Sequence, residues 1–343
     1  MMTEPGRDSQ RAAEQGYRVY GITLASDFPF RTPLVPADED RDLTFTRVWH
    51  APTGHRWDAG EPVFESQYLT DDGEPGVRLY RQDGLDVFRH AGVADYYVWP
   101  DRIVCHQHDE AATAVVELYF LSLLAGFWLE CRGAVALHAS AVSVNGQAGV
   151  FLATNTGGKT SLSTTLMQAG HSLLTDDFLA VTLSERTAVG HPGFPQMRMW
   201  PDLANHFLGG HADLPQVLPN TDKRRVPVGA GGLGSFCNES RPLSRLYLPL
   251  RVDDQDAPIR VEPVPPQQAL IELVRESFLK TVLEKAGLHR ERFARLASLV
   301  SQVPMARLVY PSGLDRLPEV CAAIVEDVGG CLLYTSDAAD DLL

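Results

Sequence analysis

The feature that most constrains this 343-residue chain is the stretch at residues 149–160, GVFLATNTGGKT, followed by SLSTTLMQAG. It reads as an apolar strand, a short polar loop and a helix stopped by Gly170. Cradling a phosphate requires backbone N–H groups converging at a helix N-terminus, a lysine for the terminal phosphates and a hydroxyl for magnesium. This order of elements supplies each part. Ala153 to Thr160 follow the spacing G-x-x-x-x-G-K-[ST] except at the first position, where alanine adds one methyl. Thr156 replaces another common glycine, but Asn155 and Gly157 can both adopt positive φ, so the loop keeps two flexible points. The candidate phosphate-binding residues are Ala153, Thr154, Asn155, Thr156, Gly157, Gly158, Lys159, Thr160 and Ser161. The competing reading is a loop that matches the pattern by chance.

A second element follows the helix. HSLLTDDFLAVTL reads as a strand pair broken at Asp176-Asp177, which can bring a carboxylate beside Thr160 to hold magnesium. Two adjacent carboxylates permit one to bind metal and the other to accept the proton of an attacking hydroxyl. Thr160 and Asp177 are the candidate metal residues, although the two aspartates are interchangeable at this level. Without the loop, Asp-Asp would mark only a turn. His138 lies on the strand before the loop, in VALHASAV, where it is either a satisfied core histidine or an aid to proton transfer.

The rest of the chain frames these elements. Short β-like runs between Gly, Pro and Asp clusters predict a small antiparallel sheet over residues 17–110, preceded by a polar, disordered stretch at 1–16. In CHQH, Cys105, His106 and His108 lie close together, but no second ligand pair stands at a metal-site spacing, so a strand edge is the preferred reading. A buried helix is expected over 111–130, because its apolar run at 118–129 is too short to span a bilayer. A catalytic domain is expected over 131–330. The last stretch, 331–343, includes CLLYTSDAADD, which resembles a translated sequencing adapter and is expected to carry neither fold nor function. The formal charge of −14 argues against nucleic acid or an anionic membrane as partner, and five scattered cysteines without CxxC spacing fit a reducing cytoplasm.

LHASAVSVNGQAGVFLATNTGGKTSL followed by GHSLLTDDFLAV resembles the catalytic domain of bacterial HPr kinase/phosphorylase. The matching residues are His138, the loop through Thr160, Gly170-His171 and Asp176-Asp177, with similarity from about Val135 to Val181 and weaker to about Val328. The resemblance implies an α/β fold: an HPr-kinase/phosphoenolpyruvate-carboxykinase-like P-loop domain with a mixed sheet, preceded here by a small mainly-β domain. It also implies ATP and Mg²⁺ as cofactors. DKRRVPVGAGG is similar to a basic family segment, which adds Lys223, Arg224 and Arg225 as candidate phosphate-binding residues. The family's Pro-Gly-Arg is absent, and HPGFPQMRMWPD stands where a glycine-rich signature supports phosphorolysis, so a kinase without phosphorylase activity is implied. With Arg198 and Asp202, that segment resembles the peptide-modifying, lasso-peptide-kinase-like subgroup.

The function expected is transfer of the γ-phosphoryl group of ATP to a serine hydroxyl of a peptide or small protein, with Asp176, Asp177, His138 and Lys159 as the catalytic residues. A non-catalytic ATP-binding regulator and a small-molecule kinase are the alternatives. The resemblance leaves a homo-oligomer open.

Overall fold

The structure is a computed structural model that describes residues 13–52, 60–153, 157–277 and 279–340, with side chains up to residue 329. Two compact units divide the chain. The first gathers Met1–Arg18, Ile22–Arg31 and Pro36–Thr113, and the second gathers Val19–Gly21, Thr32–Val35 and Ala114–Leu343.

In the first unit the alternation of apolar and polar residues does what a period of two dictates. Leu43 and Phe45 on the strand Leu43–Val48 are buried, as are Val77 and Leu79 on Val77–Gln82 and Ile103 and Cys105 on Arg102–Gln107, while the residues between them are partly exposed. These strands belong to a nine-stranded sheet. The sheet is mixed, not antiparallel as expected. Ile22–Ser26 runs parallel to Leu43–Val48, which runs parallel to Arg102–Gln107, and the run from Arg102–Gln107 out to Phe64–Glu65 is antiparallel. Local pattern reveals a strand; the direction of a partner 19 residues away (Leu24 with Leu43) or 58 residues away (Thr44 with Arg102) is a tertiary choice. The first strand opens at Gln15, inside the stretch expected to be disordered; residues 1–12 lie outside the described residues.

The second unit is built on a ten-stranded mixed sheet. Its long strand Arg241–Val252 runs parallel to both Gln147–Leu152 and Met305–Pro311. Side chains alternate between two cores. Val142, Val144 and Phe151 pack with Leu162 and Leu166 of the helix Lys159–Gln168 and with Val320, Ile324 and Val328 of the final helix. Ala139, Ala141, Val150 and Leu152 pack on the other face with Leu273 of Pro266–Arg275 and with Leu296 and Leu299 of His289–Gln302. Helices on both faces explain why these strands read as nearly continuous apolar runs. The final helix, Leu317–Asp340, carries helical backbone through the adapter-like segment; residues 341–343 lie outside the described residues.

The apolar stretch after the first sheet is helical over Glu110–Cys131 and widens into a π turn at Phe120–Leu124. At 22 residues this one helix, among the described residues, meets the length and composition needed to cross a membrane, which corrects the expectation that it is too short. Much of it is nevertheless core: Phe120, Leu121, Leu124, Phe127 and Trp128 are buried. Its two buried glutamates are also paired, Glu117 with Arg225 at 3.0 Å and Glu130 with Arg292 and Arg295.

Candidate active site

Strand register brings the separated motifs to one end of the second sheet. Ala139 pairs with Leu152 on one neighbouring strand, and Ala141 pairs with Thr175 on the other. Both pairings are antiparallel, so His138, which enters the first strand, and Ala153 and Asp176, which leave the other two, lie at the same end.

Gly158 then opens the helix Lys159–Gln168 with φ of 92°. A side chain there would be strained by the left-handed backbone, and its Cβ would meet the Tyr310 hydroxyl at 2.6 Å. Lys159 is nearly buried and donates to the carbonyl of Ala153 and to His138 Nε2, the latter at 3.2 Å. His138 Nδ1 lies 2.8 Å from the Asp177 carbonyl, which can only accept, so Nδ1 carries the proton and Nε2 accepts from the lysine. Burial and the adjacent ammonium both hold the imidazole below its ordinary pKa, and burial lowers that of Lys159. His138 is therefore a neutral link between Lys159 and the Asp177 backbone.

The two aspartates differ sharply. Asp176 is buried, with Oδ1 accepting from Ser140 Oγ at 2.5 Å and Oδ2 from the Arg198 backbone N–H at 3.0 Å. Burial, followed by the neighbouring charge of Asp177, pushes its pKa up to about 6. Asp177 adopts φ of 63°, a left-handed conformation aspartate tolerates, and accepts from Arg198 Nη1 at 3.1 Å. Burial would raise its pKa, but the cations Arg198, Lys223 and Lys159 overcome that and hold it below the ordinary value. The turn is closed by Thr175 Oγ1 donating to the Phe178 carbonyl at 2.6 Å.

These groups border a cavity of about 350 Å³ lined by Gly157, Gly158, Lys159, Thr160, Ser161, Asp177, Arg198, Trp200, Asp202, Leu203, Lys223, Arg251 and Leu314. Four of the lining residues are cations (Lys159, Arg198, Lys223, Arg251) and two are carboxylates (Asp177, Asp202), an excess of two positive charges in a chain of formal charge −14. A cationic cavity at a helix N-terminus suits a polyphosphate. The donor set fits magnesium equally well, since Thr160 offers a hydroxyl and Asp177 a carboxylate, both hard oxygen ligands.

Of the residues read from the sequence, Gly157, Gly158, Lys159, Thr160, Ser161 and Asp177 border this cavity; Ala153, His138 and Asp176 stand behind it, and Thr154, Asn155 and Thr156 lie outside the described residues. Arg224 and Arg225 are not among the lining residues. Arg224 donates to the Leu214 carbonyl, and Arg225 to Glu117, Thr32 and the Val217 carbonyl. Their strand Arg224–Pro227 pairs with Gln196–Met199, which places Arg198 opposite Arg225. Trp200, Leu203, Arg251 and Leu314 were not legible, because nothing local marks a residue that reaches a cavity from a distant strand or loop. Arg198 and Asp202 could be found only through the resemblance of their segment.

No family model matches the chain, and no curated protein matches it. Among solved structures, the HPr(Ser) kinase/phosphatase from Coxiella burnetii superposes with a TM-score of 0.30 at 14% identity, over 59% of this chain and 98% of that one.

Proposed function

We propose that this protein is an ATP-dependent kinase that transfers the γ-phosphoryl group to a serine hydroxyl of a peptide or small protein, without phosphorylase activity, in the cytoplasm. The observation that carries the proposal is the convergence of Gly158, Lys159 and Thr160 with Asp177, Arg198 and Lys223 around one cavity. The choice of a serine acceptor rests on the resemblance of the two motif segments.

In this reading the N–H groups that begin the helix after Gly158 and the Lys159 ammonium bind the β- and γ-phosphates. Thr160 and Asp177 would hold Mg²⁺, which supplies charge neutralisation at the transferring group. Both oxygens of Asp176 are occupied by Ser140 and Arg198, so Asp176 serves as a positioning residue. Asp202, the cavity's other carboxylate, takes the acceptor proton as the serine oxygen bonds to phosphorus and ADP departs. Arg198 and Lys223 stabilise the charge on the phosphoryl oxygens.

The test is phosphoryl transfer from γ-labelled ATP to candidate acceptor peptides, with ATP binding measured in parallel. Lys159→Ala is expected to abolish transfer in a folded protein, and Asp202→Asn to lower kcat by about 10²-fold or more with little change in ATP affinity. Undiminished transfer by Lys159→Ala overturns the proposal. ATP binding without turnover on any acceptor favours the regulator, whereas ATP consumption driven only by a metabolite favours a small-molecule kinase.

A further inference from the structure

We infer that Asp95, His106 and His108, on one face of the nine-stranded sheet, form a binding site for a divalent transition-metal ion of the zinc type. The sequence offers only half of this set. His106 and His108, two residues apart, share a face, whereas Cys105 points to the other and is fully buried. The missing ligand comes from the neighbouring strand Ala94–Val98, whose antiparallel register sets Asp95 directly opposite His106.

The distances suit a small ion. Asp95 Oδ2 lies 3.2 Å from His108 Nε2 and 3.7 Å from His106 Nδ1, and the three ligand atoms all fall within 4.8 Å of one another. Ligands about 2.1 Å from a tetrahedral ion stand roughly 3.4 Å apart. The two imidazole rings meet nearly edge to face, 5.1 Å between centroids at 70°.

Burial supplies the second argument. The Asp95 side chain is only 8% exposed, and among the described residues its Oδ1 and the His106 Nδ1 are buried without a hydrogen-bond partner. Such atoms are costly to leave unsatisfied, and a cation among them removes the cost. Arg89, opposite Asp95 on the other side, stays 4.0 Å from Oδ1 and is half-exposed, so it does not substitute for that ligand. The imidazoles are 21% and 27% exposed, which leaves an entry path and a position for water. Two imidazoles with one carboxylate select zinc, cobalt or nickel over magnesium and calcium. Binding displaces the contact between His108 and Asp95 and pins the chain beyond Arg102–Gln107 to the strand beside it. All three ligands lie in the first unit, so the inference does not depend on the kinase reading.

The test uses the full chain, stripped with a chelator and titrated with Zn²⁺ alone against a competing indicator, without nucleotide. One equivalent is expected to bind. His106→Gln and His108→Gln, each checked for folding by circular dichroism, should weaken it about 100-fold or more, and Asp177→Asn should not. Zn²⁺ should also raise the melting temperature of the wild type and not of His108→Gln. No saturable binding, or wild-type affinity retained in both histidine variants, overturns the inference. Zinc-edge X-ray absorption of the wild-type complex decides the matter if a variant fails to fold: two imidazole nitrogens support the site, and fewer nitrogens or a sulfur ligand defeat it.

Discussion

Gly158 illustrates how much a single residue decides at the phosphate loop. Replacing it with alanine adds about 1–2 kcal/mol for the left-handed backbone and drives a Cβ into the Tyr310 hydroxyl. Gly158→Ala should therefore lower the urea midpoint and, in the fraction that remains folded, weaken ATP binding. Asp176 gives a prediction with a definite sign. Its folded pKa lies above the ordinary carboxylate value, so the fold favours the protonated form; that contribution is present at low pH and is lost as pH rises from about 4 through about 6. Asparagine can accept from the Arg198 N–H and donate to Ser140, keeping both contacts without a charge. The melting temperature of Asp176→Asn relative to wild type should rise progressively across that window. A difference that is flat or falls with pH would contradict the assigned burial of this carboxylate.

At the scale of elements, the helix Glu110–Cys131 shows an apolar segment held inside a domain by charges. Glu117 is almost inaccessible, and its partner Arg225 is 11% exposed. Removing one partner of such a pair costs about 3–5 kcal/mol, because the other is left buried and uncompensated. Arg225→Ala is accordingly expected to lose stability of that order in denaturant titration while its folded fraction binds ATP normally. The double replacement Glu117→Leu/Arg225→Met should recover most of the loss. A selective loss of ATP affinity in Arg225→Ala would instead return this arginine to the phosphate site, where the basic run at residues 223–225 first suggested it. Sequence could not separate Lys223 from its neighbours, because the cavity that Lys223 borders and the Glu117 that holds Arg225 are supplied by other elements of the chain, and nothing within the basic run itself marks which cation meets which.

The whole molecule sets a small cationic cavity in an acidic chain. Ligand attraction then comes from four fixed cations close to the site, against an unfavourable background. The dissociation constant for ATP should depend on salt because exposed charges are screened, and Lys223→Gln should flatten that dependence while weakening binding. Equal salt slopes in wild type and variant would remove Lys223 from the site.

What the sequence determined by itself was local: a strand running into a glycine-lysine-threonine turn and a helix, a second strand ending in two carboxylates, and an apolar helix between the two halves. Hydrogen-bonding geometry, side-chain periodicity and the special freedom of glycine act over a few residues, so they leave a readable trace. Tertiary structure alone decided the parallel pairings of the first sheet. It also decided that Asp177 borders the cavity while Asp176 is enclosed, that Arg225 belongs to Glu117, and that Asp95 completes a set begun by His106 and His108. Each of those outcomes depends on strand register and burial between separate elements of the chain, where a shift of one residue exchanges the two faces and no neighbouring residue records the choice.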